Sequence, residues 1–278
     1  MFRVIKALNH NGVLAIDVDM NNEYILLGKG IGFGKKVNER MEVPEDTKIY
    51  LLQKETERGS IKDILNNIEP EILEIASEII MEAEKKFRKV DENILCPLAD
   101  HIAFALKRIN NNEQISNPLT QDIKALFSEE YEVAYKAKDI IKEVKGVDIS
   151  EDEIGYIALH IHSSLGNEKI SQAMETAMLV RDCITSIEKN IGRTIDIDSL
   201  SYNRLMSHIK YMAARTLKGE SINLDMNDYI KERFPKSFEI AEDICKKLGS
   251  ELKRELKEVE VGYLAMHIER VFSDELLE

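Results

Sequence analysis

Glu153-Ile154-Gly155-Tyr156-Ile157-Ala158-Leu159-His160-Ile161 is answered 107 residues later by Glu260-Val261-Gly262-Tyr263-Leu264-Ala265-Met266-His267-Ile268. Every pair is identical or an apolar exchange of similar size. At the same offset, Leu98-Ala99-Asp100-His101-Ile102 maps onto Leu205-Met206-Ser207-His208-Ile209. Phe127 maps onto Phe234, and Tyr131-Glu132-Val133-Ala134 onto Phe238-Glu239-Ile240-Ala241. One register held over so many spaced positions marks an internal duplication. Within each copy the two histidines stand 59 positions apart. His162 maps onto Glu269, and His10 lies outside both copies.

Working outward, apolar residues recur at helical spacing in Ile72, Leu73, Ile75, Ala76, Ile79, Ile80 and Ala83. The same period predicts helices over 97–108, 119–145, 151–164, 171–190, 198–217, 226–248 and 258–276. Ser150, with Glu153 three residues on, reads as a helix start. The N-terminal part differs. Phe2–Leu8, Gly12–Val18, Glu23–Leu27 and Lys48–Leu52 are short runs rich in Val, Ile and Leu, and Asn/Gly and Asn/Asn turns separate the first three. The expected fold is multidomain: a small antiparallel β-sheet domain over 1–56, a linker over 57–70, then two duplicated all-α bundles over 65–170 and 171–278. So small a sheet has little core and gains from pairing with a second copy.

The chain has 278 residues, 44% hydrophobic and 32% charged, and a net charge of −13. That is the composition of a soluble folded protein, with no apolar run of the roughly 18 residues a membrane span needs. Cys96, Cys183 and Cys245 are too far apart for a metal knuckle or disulfide framework, and read as buried thiols of a cytoplasmic protein. Residues 1–55 hold eight Lys/Arg and eight Asp/Glu, so residues 56–278 carry the entire acidic excess, 30 bases against 43 acids. A polyanion partner is therefore confined to the first segment.

A lone histidine on an amphipathic helix is usually structural. Four that recur in register while most polar neighbours change point to chemistry. Metal binding fits poorly: in His160-Ile161-His162 the two side chains point to different helix faces, and the second copy lacks the second histidine. Asp100-His101 has no companion ligands. No Gly-x-Ser-x-Gly elbow supports a hydrolase. No catalytic residue, metal or cofactor is expected. Phosphoryl acceptance asks only for a reachable imidazole nitrogen with the other held by a partner. The added negative charge in an already acidic module would make a switch.

Gly28-Lys29-Gly30-Ile31-Gly32-Phe33-Gly34-Lys35-Lys36 fails both nucleotide-loop templates. Lys29 stands where a Walker loop needs glycine, Lys36 where it needs Ser or Thr, and Phe33 where the dinucleotide pattern needs glycine. One aromatic ring among close-approach glycines, flanked by lysines, suits an unpaired base beside phosphates. Asn9 and Asn11 add amides able to read base edges or sugar hydroxyls.

Taken together, Asn9-His10-Asn11, the Gly28–Lys36 run and the doubled helical module resemble the bacterial transcriptional antiterminators of the BglG/SacY/LicT type. The resemblance covers essentially the whole chain and is nearest the glucose-permease, GlcT-like branch. Many relatives carry arginine where this chain has Lys29 and asparagine where it has His10. The resemblance implies an RNA-binding domain that, as a homodimer, holds a leader mRNA hairpin and prevents a terminator from forming. It implies RNA contacts at Lys6, Asn9, Asn11, Gly28, Lys29, Gly30 and Phe33, and phosphorylation at His101, His160, His208 and His267. The sugar permease (enzyme II) and the phosphocarrier protein of the sugar phosphotransferase system are the implied partners. Two other readings are a DNA-binding activator with the same regulatory modules, against which the lack of helical period in 1–53 speaks, and a histidine phosphotransfer protein.

Overall fold

The computed structural model describes residues 1–52, 55–56, 59–60, 65, 67–113, 115–166, 168–197 and 199–273. Much of the expected 57–70 linker lies outside the described residues. By packing, the chain forms two compact units: residues 1–117 with 129–170, and residues 118–128 with 171–278.

The head is a five-stranded antiparallel sheet. Strands β1 (Phe2–Ala7), β2 (Gly12–Asp17), β3 (Glu23–Leu27), β4 (Arg40–Met41) and β5 (Lys48–Leu51) lie in the order β4-β1-β2-β3-β5. The short β4, unmarked in the sequence pattern, closes the free edge of β1 at Phe2 and Arg3. Beyond the sheet, β6 (Glu55–Thr56) pairs with β7 (Gly59–Ser60). Alternation along the strands divides the apolar residues between two faces. Val4, Val13, Ala15 and Leu26 form one core with Ile31 and Met41. Leu14, Ile25, Leu27 and Tyr50 are buried on the other.

That second face is tied to helix α1 (Pro70–Lys86). The Tyr50 hydroxyl lies 2.6 Å from Ser77 Oγ, and Lys48 Nζ donates to Glu84 at 2.8 Å. Pro70 opens α1, where its missing N–H costs nothing. The helix turns Ile72, Leu73, Ile75, Ala76, Ile79, Ile80 and Ala83 inward, the period read in the sequence.

A 3-10 turn (Glu92–Ile94), capped by Asp91, leads into α2 (Leu95–Asn110). Then come α3 (Thr120–Leu126), α4 (Ser128–Tyr135), α5 (Ala137–Lys145) and α6 (Glu151–Leu165). Gly146 ends α5 at φ +67°, a left-handed position that suits glycine. The second unit has α7 (Ile170–Ile191), α8 (Leu200–Lys218), α9 (Asn227–Arg233), α10 (Pro235–Leu252) and α11 (Val259–Ser273). The continuous helices expected over 119–145 and 226–248 are broken. Phe127 and Phe234, at matched positions, both leave helical geometry, with ψ of 46° and 61°. The Phe127 ring is buried in the core, while Phe234 is half-buried and Pro235 removes the N–H that would carry the second helix through.

The copies differ in the helix before this break. In the second, Asn227 at the start of α9 accepts from Gly262 N–H of α11 at 3.0 Å. In the first, α3 packs with the second unit. Arg181 donates to Asp122 at 2.6 Å, Tyr202 donates to the same carboxylate at 3.2 Å, and Lys210 donates to the Leu126 carbonyl at 2.9 Å.

The glycine-rich loop is tightly packed at Gly32. Its N–H donates to the His10 carbonyl at 2.9 Å. A Cβ there would overlap the Asn9 carbonyl oxygen and approach that of Gly12 to 2.9 Å. Gly30 has open space but sits at φ +73°. Gly32→Ala is therefore expected to destabilise the head by about 1–3 kcal/mol through backbone displacement. Gly30→Ala is expected to cost about 1–2 kcal/mol through conformation alone. Hydrogen exchange of the β2 amides checks this: faster exchange in Gly32→Ala, with the β1–β2 turn shifted only in that variant.

Candidate phosphoacceptor and nucleic-acid sites

In the first module, α2 carries His101 and α6 carries His160. Their ring centroids lie 5.3 Å apart, with the rings tilted by 43°. Both are nearly buried, at 7% and 8% exposure. Glu153, in the first turn of α6, lies beside His101 at 3% exposure. Its Oε2 lies 3.1 Å from His101 Nε2, and its Oε1 accepts from Arg108 at 2.7 Å. Burial raises the Glu153 pKa, but hydrogen bonds from His101 and Arg108 outweigh it and hold the pKa below the usual range.

The second module repeats the arrangement 107 residues on. His208 of α8 and His267 of α11 lie 4.4 Å apart, tilted by 33°; Tyr263 lies parallel to His208 at 6.4 Å, whereas Tyr156 is tilted by 42° against His101 at 5.5 Å. Glu260 matches Glu153 and Arg215 matches Arg108. The carboxylate is shared differently. Arg215 donates to both Glu260 oxygens, Nε at 2.8 Å and a terminal nitrogen at 2.7 Å. Among the described residues, His208 Nε2 and His267 Nδ1 have no hydrogen-bond partner. Burial, then His267 and Arg215, push the His208 pKa down to about 3. Burial, then Arg270 and Arg204, lower that of His267. Both imidazoles are neutral at pH 7, the form that can attack a phosphoryl group, and both are partly exposed.

Sequence reasoning noted Glu153 and Glu260 as repeated letters but missed their role. It also missed Arg108 and Arg215, although these keep the same 107-residue register. His162 lies elsewhere. Its ring meets Glu130 at 2.8 Å and Glu168 at 3.3 Å, and these carboxylates raise its pKa despite burial. In the second copy, Glu269 instead accepts from Ser237 at 2.7 Å. His162 and Glu130 have thus become Glu269 and Ser237, one structural polar contact rebuilt with other residues. The three cysteines are buried, which pushes each thiol up to about 12. Among the described residues, no group of three or more His, Cys, Asp or Glu is placed to hold a metal ion. No helix among them is long and apolar enough to cross a membrane.

On the head, the expected RNA contacts gather around the β1–β2 turn and the glycine loop. Phe33 is 70% exposed, with the His10 ring in a T-shaped contact at 5.3 Å. Lys6, Lys29 and Gly30 are exposed, and Asn9, Asn11 and Gly28 partly so. Three hydrogen bonds join the segments: Gly28 N–H to the Asn11 carbonyl at 2.9 Å, Gly30 N–H to Asn11 Oδ1 at 3.0 Å, and Gly32 N–H to the His10 carbonyl at 2.9 Å. An apolar ring held out in water among backbone N–H groups and lysines can stack on a base.

Comparison with known proteins agrees with this layout. Residues 2–59 match the CAT RNA binding domain, and residues 73–164 and 181–271 match the PRD domain. The chain is 32% identical over 271 residues to the GlcA/glcB genes antiterminator of Staphylococcus carnosus, covering 95% of this chain and 93% of that one. It is 34% identical to Protein GlcT of Staphylococcus epidermidis, covering 95% of each. The transcription antiterminator LicT of Bacillus subtilis is 28% identical over 97% of this chain and 98% of its own. A crystal structure of GlcT CAT-PRDI superposes with a TM-score of 0.52 at 36% identity, over 60% of this chain and 99% of that one. The chain belongs to the BglG/SacY/LicT antiterminator family, in its GlcT-like branch. The sheet is thus the family's RNA-binding domain and the helical modules are two PRD domains. A CAT head in place of a helix-turn-helix disposes of the DNA-binding alternative, and the family is regulatory rather than enzymatic.

Two outcomes follow for the PRD domains. Folded His208 takes a proton only near pH 3, whereas an unfolded imidazole takes one near 6.5. Between those values the unfolded chain binds more protons, so this stabilisation is present above pH 6.5 and is lost as pH falls toward 3. Imidazole NMR is expected to find His208 still neutral at pH 4.5, and His208→Gln to reduce the fall in melting temperature between pH 7 and 4.5. Arg215→Met strands the buried Glu260 carboxylate and is expected to cost about 3–5 kcal/mol in chemical denaturation, with Arg215→Met/Glu260→Leu recovering much of the loss.

Proposed function

We propose that this chain is a cytoplasmic, homodimeric antiterminator that binds a hairpin in a nascent leader mRNA, prevents the terminator from forming and so switches on sugar-uptake genes. The observation that carries this reading is Phe33, 70% exposed within a loop of glycines and lysines on a CAT domain. Phe33 stacks on an unpaired base, Lys6 and Lys29 neutralise phosphate, and Gly28 and Gly30 let backbone N–H groups approach the strand. Asn9 and Asn11 supply directed donors. Lysine at position 29 presents a point charge rather than a bidentate fork, which loosens the phosphate geometry at that contact.

Control passes through His101, His160, His208 and His267 as phosphoacceptors for the sugar permease and the phosphocarrier protein. The doubled His–His approach, each over a buried Glu–Arg pair, supports a phosphoryl switch. Phosphorylation would place roughly −1.5 to −2 charges against a buried carboxylate in each module. The repulsion reorders the helices that carry the pair. Exposure ranks the acceptors: His208 and His267 are reachable, while His101 and His160 need their module to open.

Phe33→Ala is expected to weaken binding of a leader hairpin by about 1–3 kcal/mol, and raising the salt concentration to weaken the wild-type complex steeply. Salt-insensitive binding that ignores the Phe33 change would refute the reading. With phosphorylated carrier protein and permease domain as donors, mass spectrometry should find label on His208 and His267 before His101 and His160, with none on His162. Rapid release of phosphate to a small molecule would instead favour a phosphotransfer protein.

A further inference from the structure

The two head asparagines have their amide ends assigned by their neighbours. Asn9 Oδ1 accepts from the Asn11 N–H at 2.8 Å, and Asn11 Oδ1 accepts from the Gly30 N–H at 3.0 Å. Both carbonyl ends are therefore engaged by backbone, and only the two Nδ2 groups face outward. They are a pair of donors and nothing else. Their ligand must bring acceptor oxygens or nitrogens: the non-bridging oxygens of an RNA phosphate, or an acceptor edge of a base.

That pair is already filled. Asn9 Nδ2 donates to Glu74 Oε1 at 2.6 Å, and Asn11 Nδ2 donates to Glu74 Oε2 at 3.0 Å. Each amide takes one oxygen of a single carboxylate, as it would with two oxygens of a phosphate. Glu74 is not part of the head. It projects from α1, the first helix of the first PRD domain, while Ser77 and Glu84 on the same helix hold the sheet by Tyr50 and Lys48. Its negative charge stands where an RNA strand would bring its own, so the two cannot share the site.

We propose that Glu74 is a built-in competitor for RNA: its carboxylate occupies the Asn9/Asn11 donor pair that an RNA acceptor group uses, and RNA binds only once α1 releases it. This deepens the RNA-binding reading above and rests on it. The α1 helix packs against α2, which carries His101. A rearrangement at His101 thus has a short path to Glu74, and through it to the RNA surface.

The test uses the full chain and an RNA stem-loop selected on it from a pool with a randomised loop, with affinity read by fluorescence anisotropy at fixed salt. Glu74→Ala is expected to tighten binding at least about fivefold, and the isosteric Glu74→Gln by a smaller factor. Glu78→Gln, which removes one charge from an exposed position of the same helix, is expected to change little. Asn9→Ala and Asn11→Ala should weaken binding and, combined with Glu74→Ala, abolish the gain. If both Glu74 variants bind as wild type while Asn9→Ala still weakens the complex, the competitor role is overturned and RNA binding stands. Equal tightening by Glu78→Gln overturns it too, since bulk charge would then explain the gain. Failure of every variant to bind any stem-loop overturns both readings.

Discussion

A carboxylate at 3% exposure cannot remain ionised without a partner, and that constraint organises each PRD domain. Glu153 and Glu260 stand in the first turns of α6 and α11, where the helix dipole favours a negative charge. The remaining compensation must come from across the core. It comes from Arg108 and Arg215 near the ends of α2 and α8, which brings those helices against α6 and α11 in a fixed register. His101 and His208 lie seven residues, two helical turns, before the arginines. His160 and His267 lie seven residues after the glutamates. The histidine pair is thus a geometric consequence of the ion pair: two turns along each helix from one anchored point. A module with Leu in place of Glu and Arg would pack, but nothing would hold two imidazoles together.

The duplication was legible because it preserves what this arrangement needs. His, Glu and Gly repeat letter for letter, while surface charges drift. The sheet strands were legible because each is a short apolar run closed by a turn, and the third ends at Leu27 as expected. Other features were hidden for physical reasons. β4 is two residues long, too short for any alternation to register. Phe127 and Phe234 look like ordinary members of a helical period, and only their backbone angles reveal the break. Glu153 looked like the second half of a capping box. Ser150 does cap α6, accepting from the Glu153 N–H at 3.4 Å, but the Glu153 side chain turns inward to Arg108 instead of back to the cap. A carboxylate read from sequence has no direction, and its direction decides its role.

The copies have also diverged where repetition would mislead. Glu153 divides its oxygens between His101 and Arg108, whereas Glu260 gives both to Arg215. In the first arrangement one carboxylate oxygen approaches the His101 ring, while in the second both oxygens face the guanidinium. Asp122 on α3 is buried and held by Arg181 and Tyr202, and at the matched position stands Tyr229, which is exposed. One helix of the first copy has acquired a charged anchor in the second unit, while its counterpart α9 stays on its own α11. Equal sequence register therefore does not imply equal chemistry, and two modules of one ancestry hold their histidine pairs in different electrostatic settings.

The link between modules and head turns on α1. Its inward face is apolar and belongs to the PRD core. Its other side carries Glu74, Ser77 and Glu84 to the sheet. Such a helix has to satisfy two partners at once, and the two kinds of contact respond differently to movement. Apolar packing tolerates a small slide, because dispersion and burial change gradually with displacement. The hydrogen bonds at 2.6 and 3.0 Å between Glu74 and the asparagines do not, since they weaken steeply with distance and angle. A shift of about an ångström that leaves the PRD core intact is enough to free the amides. A switch built on Glu74 needs no unfolding and no large hinge: the polar contact is the weak point by its chemistry, and it lies on the surface proposed to meet RNA.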